Sequence, residues 1–134
     1  MHYLKNYING IHCDALSGKW IDNYNPSDGS VYAKIPDSSK QDVANAYTAA
    51  QNAFGSWSTT TIDTRSRILL KIADLIEKNL TVLAQAESKD NGKPLSLATA
   101  VDIPRASANF RFFGNGITQF ASKAHQSVGL NTMN

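Results

Sequence analysis

Apolar positions alternate through the first third of the chain and recur at intervals of three and four through most of the rest. Asn6-Tyr7-Ile8 and Ile11-His12-Cys13 flank Asn9-Gly10. Both turn positions tolerate positive φ, so the pattern predicts a tight β-hairpin. Trp20 to Tyr24 reads as a further short strand, Asn25-Pro26-Ser27-Asp28-Gly29 as a turn, and Ser30 to Ile35 as the returning strand. Pro36 ends it, because proline has no N–H for the ladder.

From Ser39 onward the period changes to that of a helix. Ser39 and Asp42 have the spacing of a capping box. Val43, Ala46, Tyr47, Ala50 and Phe54 then share one face, and Gly55 follows as a stop. Asp63 is the expected cap of a second helix. Its apolar positions Ile68, Leu69, Ile72, Leu75 and Ile76 continue through Leu80, Leu83 and Ala84 to Asn91-Gly92. A third helical zone runs from Pro94 to about Ala121. Pro104 would break a continuous helix, so a boundary is expected at Asp102, with Pro104 in the first turn of the next helix. The predicted layout is therefore strands and a hairpin over 1–36, helices over 37–122 and an irregular tail over 123–134. Ordering the second helix costs about as much chain entropy as burial of its five aliphatics returns. The helices need cover that the short strands cannot supply.

Composition narrows the classes. At 134 residues the chain has one domain's worth of sequence, with ordinary apolar (42%) and charged (18%) content. Thirteen basic and eleven acidic residues give a net charge of +2, too balanced for a nucleic-acid partner. Arg65, Arg67 and Lys71 are neighboured by Asp63 and Asp74, as on a solvated helix face. No run of 18 apolar residues exists, and the N-terminus lacks the basic and apolar regions of a secretory signal. A single cysteine, Cys13, suits a reducing cytoplasm.

Few residues carry chemistry. Cys13 sits on a predicted strand without a neighbouring base, so it reads as a small strand residue. His2, His12 and His125 lack the spacing of zinc ligands. Gly114-Asn115-Gly116 follows a helix and lacks a third glycine, so it is no phosphate loop. Asp90 lies in the last turn of a helix, where the dipole disfavours an acid. Compensation could come from Lys89 or Lys93, or from a hard cation held by oxygen ligands. Arg105 lies at a helix start, a place that favours anions, and its planar fork can grip a carboxylate. Phe110, Phe112 and Phe113 follow it, either as helix packing or as a wall. By spacing alone Arg105 also reads as a surface residue or a partner of Asp102.

Several strings in this order resemble the aldehyde dehydrogenase superfamily: Tyr7-Ile8-Asn9-Gly10, Asn25 to Gly29, Arg65-Ser66-Arg67-Ile68-Leu69, Glu87 to Pro94 and Asp102-Ile103-Pro104-Arg105. The Asp-Ile-Pro-Arg string, with Asn109-Phe110 and Phe112-Phe113, is similar to the branch that oxidises aminomuconic and hydroxymuconic semialdehydes. The resemblance covers essentially the whole chain and about the first quarter of a family member. It implies an α/β fold: a hairpin and short strands, then three to four helices, incomplete without the rest of the dinucleotide-binding domain. It also implies NAD as cofactor and an aldehyde as substrate. In the complete enzyme it implies a cytoplasmic homo-oligomer, a dimer or tetramer. The reaction is attack of a cysteine thiolate, hydride transfer to NAD and hydrolysis of the thioester. Those catalytic and cofactor-binding residues fall beyond position 134, so this chain alone is expected to be inactive. On the same resemblance Arg105 binds the substrate carboxylate. Asp90 holds sodium or potassium together with Asn23 and Tyr24. The rival expectation is a catalytically silent helical interaction module that pairs with full-length subunits.

Overall fold

Asn9 (φ 51°) and Gly10 (φ 78°) both take left-handed backbone, and the turn they make sets the first hairpin. The computed structural model describes residues 2–120, together with the backbone of two strands at 124–127 and 130–133. Strand β1 is His2–Tyr3, β2 Asn6–Ile8, β3 Ile11–Cys13, β4 Trp20–Tyr24 and β5 Val31–Pro36. Strands β2 and β3 pair antiparallel, Tyr7 opposite His12. A separate sheet has the order β1-β5-β4. In it β4 and β5 are antiparallel, with a register shift at Asn23/Tyr24, and β1 lies parallel to β5.

Helix α1 spans Lys40–Ser58. The predicted capping box is present: Ser39 Oγ accepts from the Asp42 N–H, and the Asp42 carboxylate accepts from the Ser39 N–H. The other Asp42 oxygen accepts from the Leu16 N–H at 3.0 Å, which ties the loop after the hairpin to the helix start. Gly55 does not stop α1; the helix continues to Ser58. The second helix is capped by Thr61, not Asp63, and is divided. Helix α2 is Ile62–Lys78 and α3 is Leu80–Asn91. Asn79 separates them: its backbone leaves the helical range at φ −104° and ψ 18°, and its side-chain amide donates to the Leu75 carbonyl at 2.8 Å. Gly92 ends α3 with φ 77°, as a left-handed cap. A short turn, α4 (Leu95–Leu97), leads through a π-helical turn at Ala98–Asp102 into α5, Ile103–Gln119. The tail, expected to be irregular, carries two antiparallel strands, β6 (Ala124–Ser127) and β7 (Leu130–Met133).

Helices α2 and α5 pack most closely. Ser66 Oγ donates to the Gly114 carbonyl at 2.7 Å, and Ser107 Oγ to Glu77 at 2.6 Å. Arg111 reaches Asp74 at 3.0 Å and Glu77 at 2.8 Å from the same side. Small residues permit this approach. Among the described residues the buried apolar side chains are all alanines: Ala15, Ala33, Ala73, Ala84 and Ala98. Large apolar side chains remain on the surface, including Tyr47, Phe54, Phe112 and Phe113.

Candidate functional site

Two turns meet where α3 ends. A Cβ added at Gly92 would lie 3.0 Å from Pro26 Cβ, so only glycine lets the Asn25-Pro26 turn seat against the end of α3. This seating brings β4 and β5 beside Asp90. Tyr32 Oη donates to Asp90 Oδ1 at 2.5 Å, and Asn23 Nδ2 donates to the same oxygen at 2.9 Å. The Asn23 amide also reaches Tyr32 Oη at 3.0 Å. The Tyr32 hydroxyl and the Asn23 amide together hold the Asp90 carboxyl below the usual carboxylate range. The same bond to Asp90 pushes the Tyr32 phenol up. Lys89 places its ammonium 4.9 Å from the Tyr32 ring centroid.

The acid at the end of α3 is thus compensated by a tyrosine and an asparagine, neither of which the charge pattern singled out. Of the expected cation ligands, Asn23 and Asp90 come together. Tyr24 is exposed, and its side chain makes no hydrogen bond among the described residues. A hard cation needs lone pairs from several oxygens. Here Asp90 Oδ1 already takes two donors, and Asn23 turns its N–H toward it. Asp90 Oδ2 takes no donor among the described residues, so a sodium or potassium ion would depend on that oxygen and on backbone carbonyls. Among the described residues no three His, Cys, Asp or Glu side chains cluster for a metal. The His125 side chain lies outside them. Cys13 is a free, partly exposed thiol at the end of β3, opposite Asn6.

The other expected residue, Arg105, is placed by what surrounds it. Lys93 Nζ lies 3.0 Å from Glu87 Oε1 and 2.7 Å from Asp102 Oδ2. The two carboxylates, Asp102 first, push the Lys93 ammonium pKa up. Asp102 is therefore taken, and it is not the partner of Arg105. Arg105 is exposed and makes no hydrogen bond or ion pair among the described residues.

The π-turn turns Arg105 outward. Pro104 in an α-helix would strike the carbonyl of Ala100 one turn back. Here the turn widens, and the Ile103 N–H bonds five residues back to Ala98. Ala98 (0% exposed) and Ser107 (1%) are both buried. In a continuous α-helix they would lie on opposite sides, about 180° apart, with Arg105 only about 20° from Ala98. Absorbing one residue in the π-turn brings the two buried positions to about 80° and swings Arg105 about 120° away from Ala98. The boundary at Asp102, with Pro104 in the first turn of α5, is as expected from the sequence, and the widened turn is not.

Phe112 follows Arg105 by two helical turns on the same side of α5, away from α2. Phe112 is 71% exposed, and its ring meets that of Phe113 edge to face at 5.3 Å. Among the described residues the expected aromatic wall is an open face, with Phe113 63% exposed as well. An open cleft of about 660 Å³ lies between β5 and α3, lined by Leu4, Tyr32, Ala33, Leu83, Asp90 and Ile103 among others. Arg105 does not line it.

Residues 13–133 match the model of the aldehyde dehydrogenase family. Human 2-aminomuconic semialdehyde dehydrogenase is 45% identical over 130 residues, covering 97% of this chain and 26% of the relative. An aldehyde dehydrogenase of Vibrio cholerae is 48% identical over 108 residues, 81% of this chain and 21% of the relative. The fold superposes on the NAD+ complex of an aldehyde dehydrogenase from Bacillus cereus with a TM-score of 0.88 at 34% identity, covering 92% of this chain and 26% of that one. It superposes equally on an NAD-dependent aldehyde dehydrogenase from Sinorhizobium meliloti, with a TM-score of 0.88 at 31% identity, 95% and 26% of the two chains. The chain spans about a quarter of the length of the relatives it matches.

Proposed function

Since this chain belongs to the aldehyde dehydrogenase family, we propose that it supplies the N-terminal part of an NAD-dependent enzyme that oxidises a carboxylated semialdehyde of the muconic type. Its own contribution is Arg105, which binds the carboxylate at the far end of the substrate. The observation that carries this reading is an exposed guanidinium at a helix start, without a protein partner among the described residues, while the neighbouring acid Asp102 is engaged elsewhere. A cation left free in this way has its donors available for an incoming anion. The similarity to 2-aminomuconic semialdehyde dehydrogenases supports the substrate class. NAD would be held by parts of the enzyme beyond this chain. No nucleophile or general base is assigned here, and Cys13 is not one.

The test uses this segment joined to the remaining three quarters of a relative. A charge-assisted hydrogen bond contributes about 1.5–3 kcal/mol. Arg105→Ala should therefore raise KM for a carboxylated semialdehyde by roughly ten- to a hundred-fold. KM for an uncharged aldehyde of similar size should barely move. Arg105→Lys should recover part of the loss, because lysine lacks the planar fork. Equal losses on both substrates would make Arg105 structural and return the assignment to an aldehyde dehydrogenase of unspecified substrate.

A second reading, a catalytically silent module pairing with full-length subunits, is favoured by one observation. Helix α1 carries no charge from Val43 to Ser58, and Val43, Tyr47 and Phe54 are each about two-thirds exposed on one face. Gel filtration separates the two: a stable, monodisperse species of the isolated chain favours the module.

A further inference from the structure

We propose that Lys93 is a positioning residue for Arg105: by occupying Asp102 it keeps the Arg105 guanidinium unpaired and available to an anion. The inference rests on the carboxylate-binding reading of Arg105 and adds the residue that keeps that site open. Asp102 and Arg105 are three apart on consecutive helical turns, a spacing at which an acid and a base on a helix surface meet. The helical spacing allows that pair. What prevents it is a competitor. Lys93 arrives from the turn after α3 with its ammonium 2.7 Å from Asp102 Oδ2 and 3.0 Å from Glu87 Oε1.

The competitor is itself held firmly. Its N–H donates to Asn91 Oδ1 at 2.9 Å, and its carbonyl accepts from Ser88 Oγ at 2.7 Å. Asn91 in turn donates to Glu87 at 2.6 Å. The Asp90-Asn91-Gly92-Lys93 turn therefore aims Lys93 across to the start of α5. Charge is accounted for: two carboxylates and one ammonium close among themselves, leaving one guanidinium exposed. Without Lys93, Asp102 would be an unpaired acid one helical turn from an unpaired base. The pair would then form about half of the time and compete with an incoming anion for the guanidinium.

The test reads Arg105 directly in the 134-residue chain and involves no substrate. Phenylglyoxal modifies free guanidinium groups, and tryptic mapping by mass spectrometry gives the rate at Arg105 relative to ion-paired Arg111. In the native chain Arg105 should react well ahead of Arg111. In Lys93→Met it should slow roughly two-fold, the scale of one helix-surface pair. Adding Asp102→Asn to Lys93→Met should restore the native rate, an outcome a merely structural role for Lys93 does not produce. Should Lys93→Met lose its helical circular dichroism, Lys93→Gln with the same Asp102→Asn rescue carries the same expectation. An Arg105 rate unchanged by loss of Lys93, or slowed and not restored by Asp102→Asn, overturns the proposal. Either result leaves the substrate role of Arg105 to its own KM test.

Discussion

Gly92 and Asp42 are the single residues on which most of the local geometry turns. Gly92 combines φ 77° with a Cβ position 3.0 Å from Pro26. Left-handed backbone costs an ordinary residue about 1–2 kcal/mol, and the Pro26 contact adds to that because both partners are stiff. Gly92→Ala should lower the unfolding free energy by at least about 1–2 kcal/mol, as read by urea denaturation. A loss of only a few tenths would mean that the Asn25-Pro26 turn does not seat there. Asp42 works through charge. The Ser39 hydroxyl, then the backbone N–H groups of Ser39 and Leu16, hold its carboxyl below the usual carboxylate range. A lowered folded value means its stabilisation is complete above the unfolded value of about 3.9, and is lost as pH falls through the folded value. Asp42→Asn should therefore lower Tm at pH 6, and the difference from the native chain should shrink below pH 4. A difference independent of pH would contradict the charge role. At Asp90, the cation expected from the resemblance should raise Tm in sodium or potassium chloride over choline chloride at equal ionic strength, and Asp90→Ala should remove the rise. Equal values in all three salts would leave Asp90 as a turn residue held by Tyr32 and Asn23.

At the scale of elements, the α2–α5 contact depends on one missing methyl group. A Cβ at Gly114 would meet Leu70 Cδ2 at 3.1 Å and Leu69 Cβ at 3.3 Å. Leu69 Cβ cannot rotate away, and the Ser66 bond to the Gly114 carbonyl fixes the spacing. Overpacking costs about 1–3 kcal/mol, against a helix-propensity gain of about 1 kcal/mol for Ala over Gly. Gly114→Ala should be neutral to destabilising, and Gly55→Ala in α1, with nothing within 4 Å, should stabilise. Thermal melting checks the pair, and the opposite order of the two would be fatal to the argument. These elements were unequally legible in sequence. Asn9-Gly10, Ser39 with Asp42, and Asn91-Gly92 act through their own backbone, so their spacing sufficed. The division of α2 from α3 was hidden, because Asn79 interrupts the ladder without breaking the apolar repeat around it. Strand β1 was hidden because His2 and Tyr3 pair with Ala33 and Lys34, some thirty residues away. Tyr32 was missed for the same reason: its bond to Asp90 spans 58 residues. Arg105 was found through the motif around it, whereas its exposure depends on the π-turn and on Lys93.

On the scale of the whole molecule, the apolar account does not close within the chain. Among the described residues the buried apolar side chains are alanines, and most aromatics, including all five phenylalanines, are exposed. The isolated chain should therefore self-associate or bind hydrophobic dyes. A monomer that binds no such dye would oppose this. The same surface is what the larger body of an aldehyde dehydrogenase would cover. The most direct measurement is NADH formation with a carboxylated semialdehyde, by the isolated chain and by the chain joined to the remaining three quarters of a relative. None is expected from the isolated chain, and turnover is expected from the joined one. Turnover by the isolated chain that Cys13→Ser abolishes, or a folded, NAD-binding joined protein that oxidises no aldehyde, would contradict it.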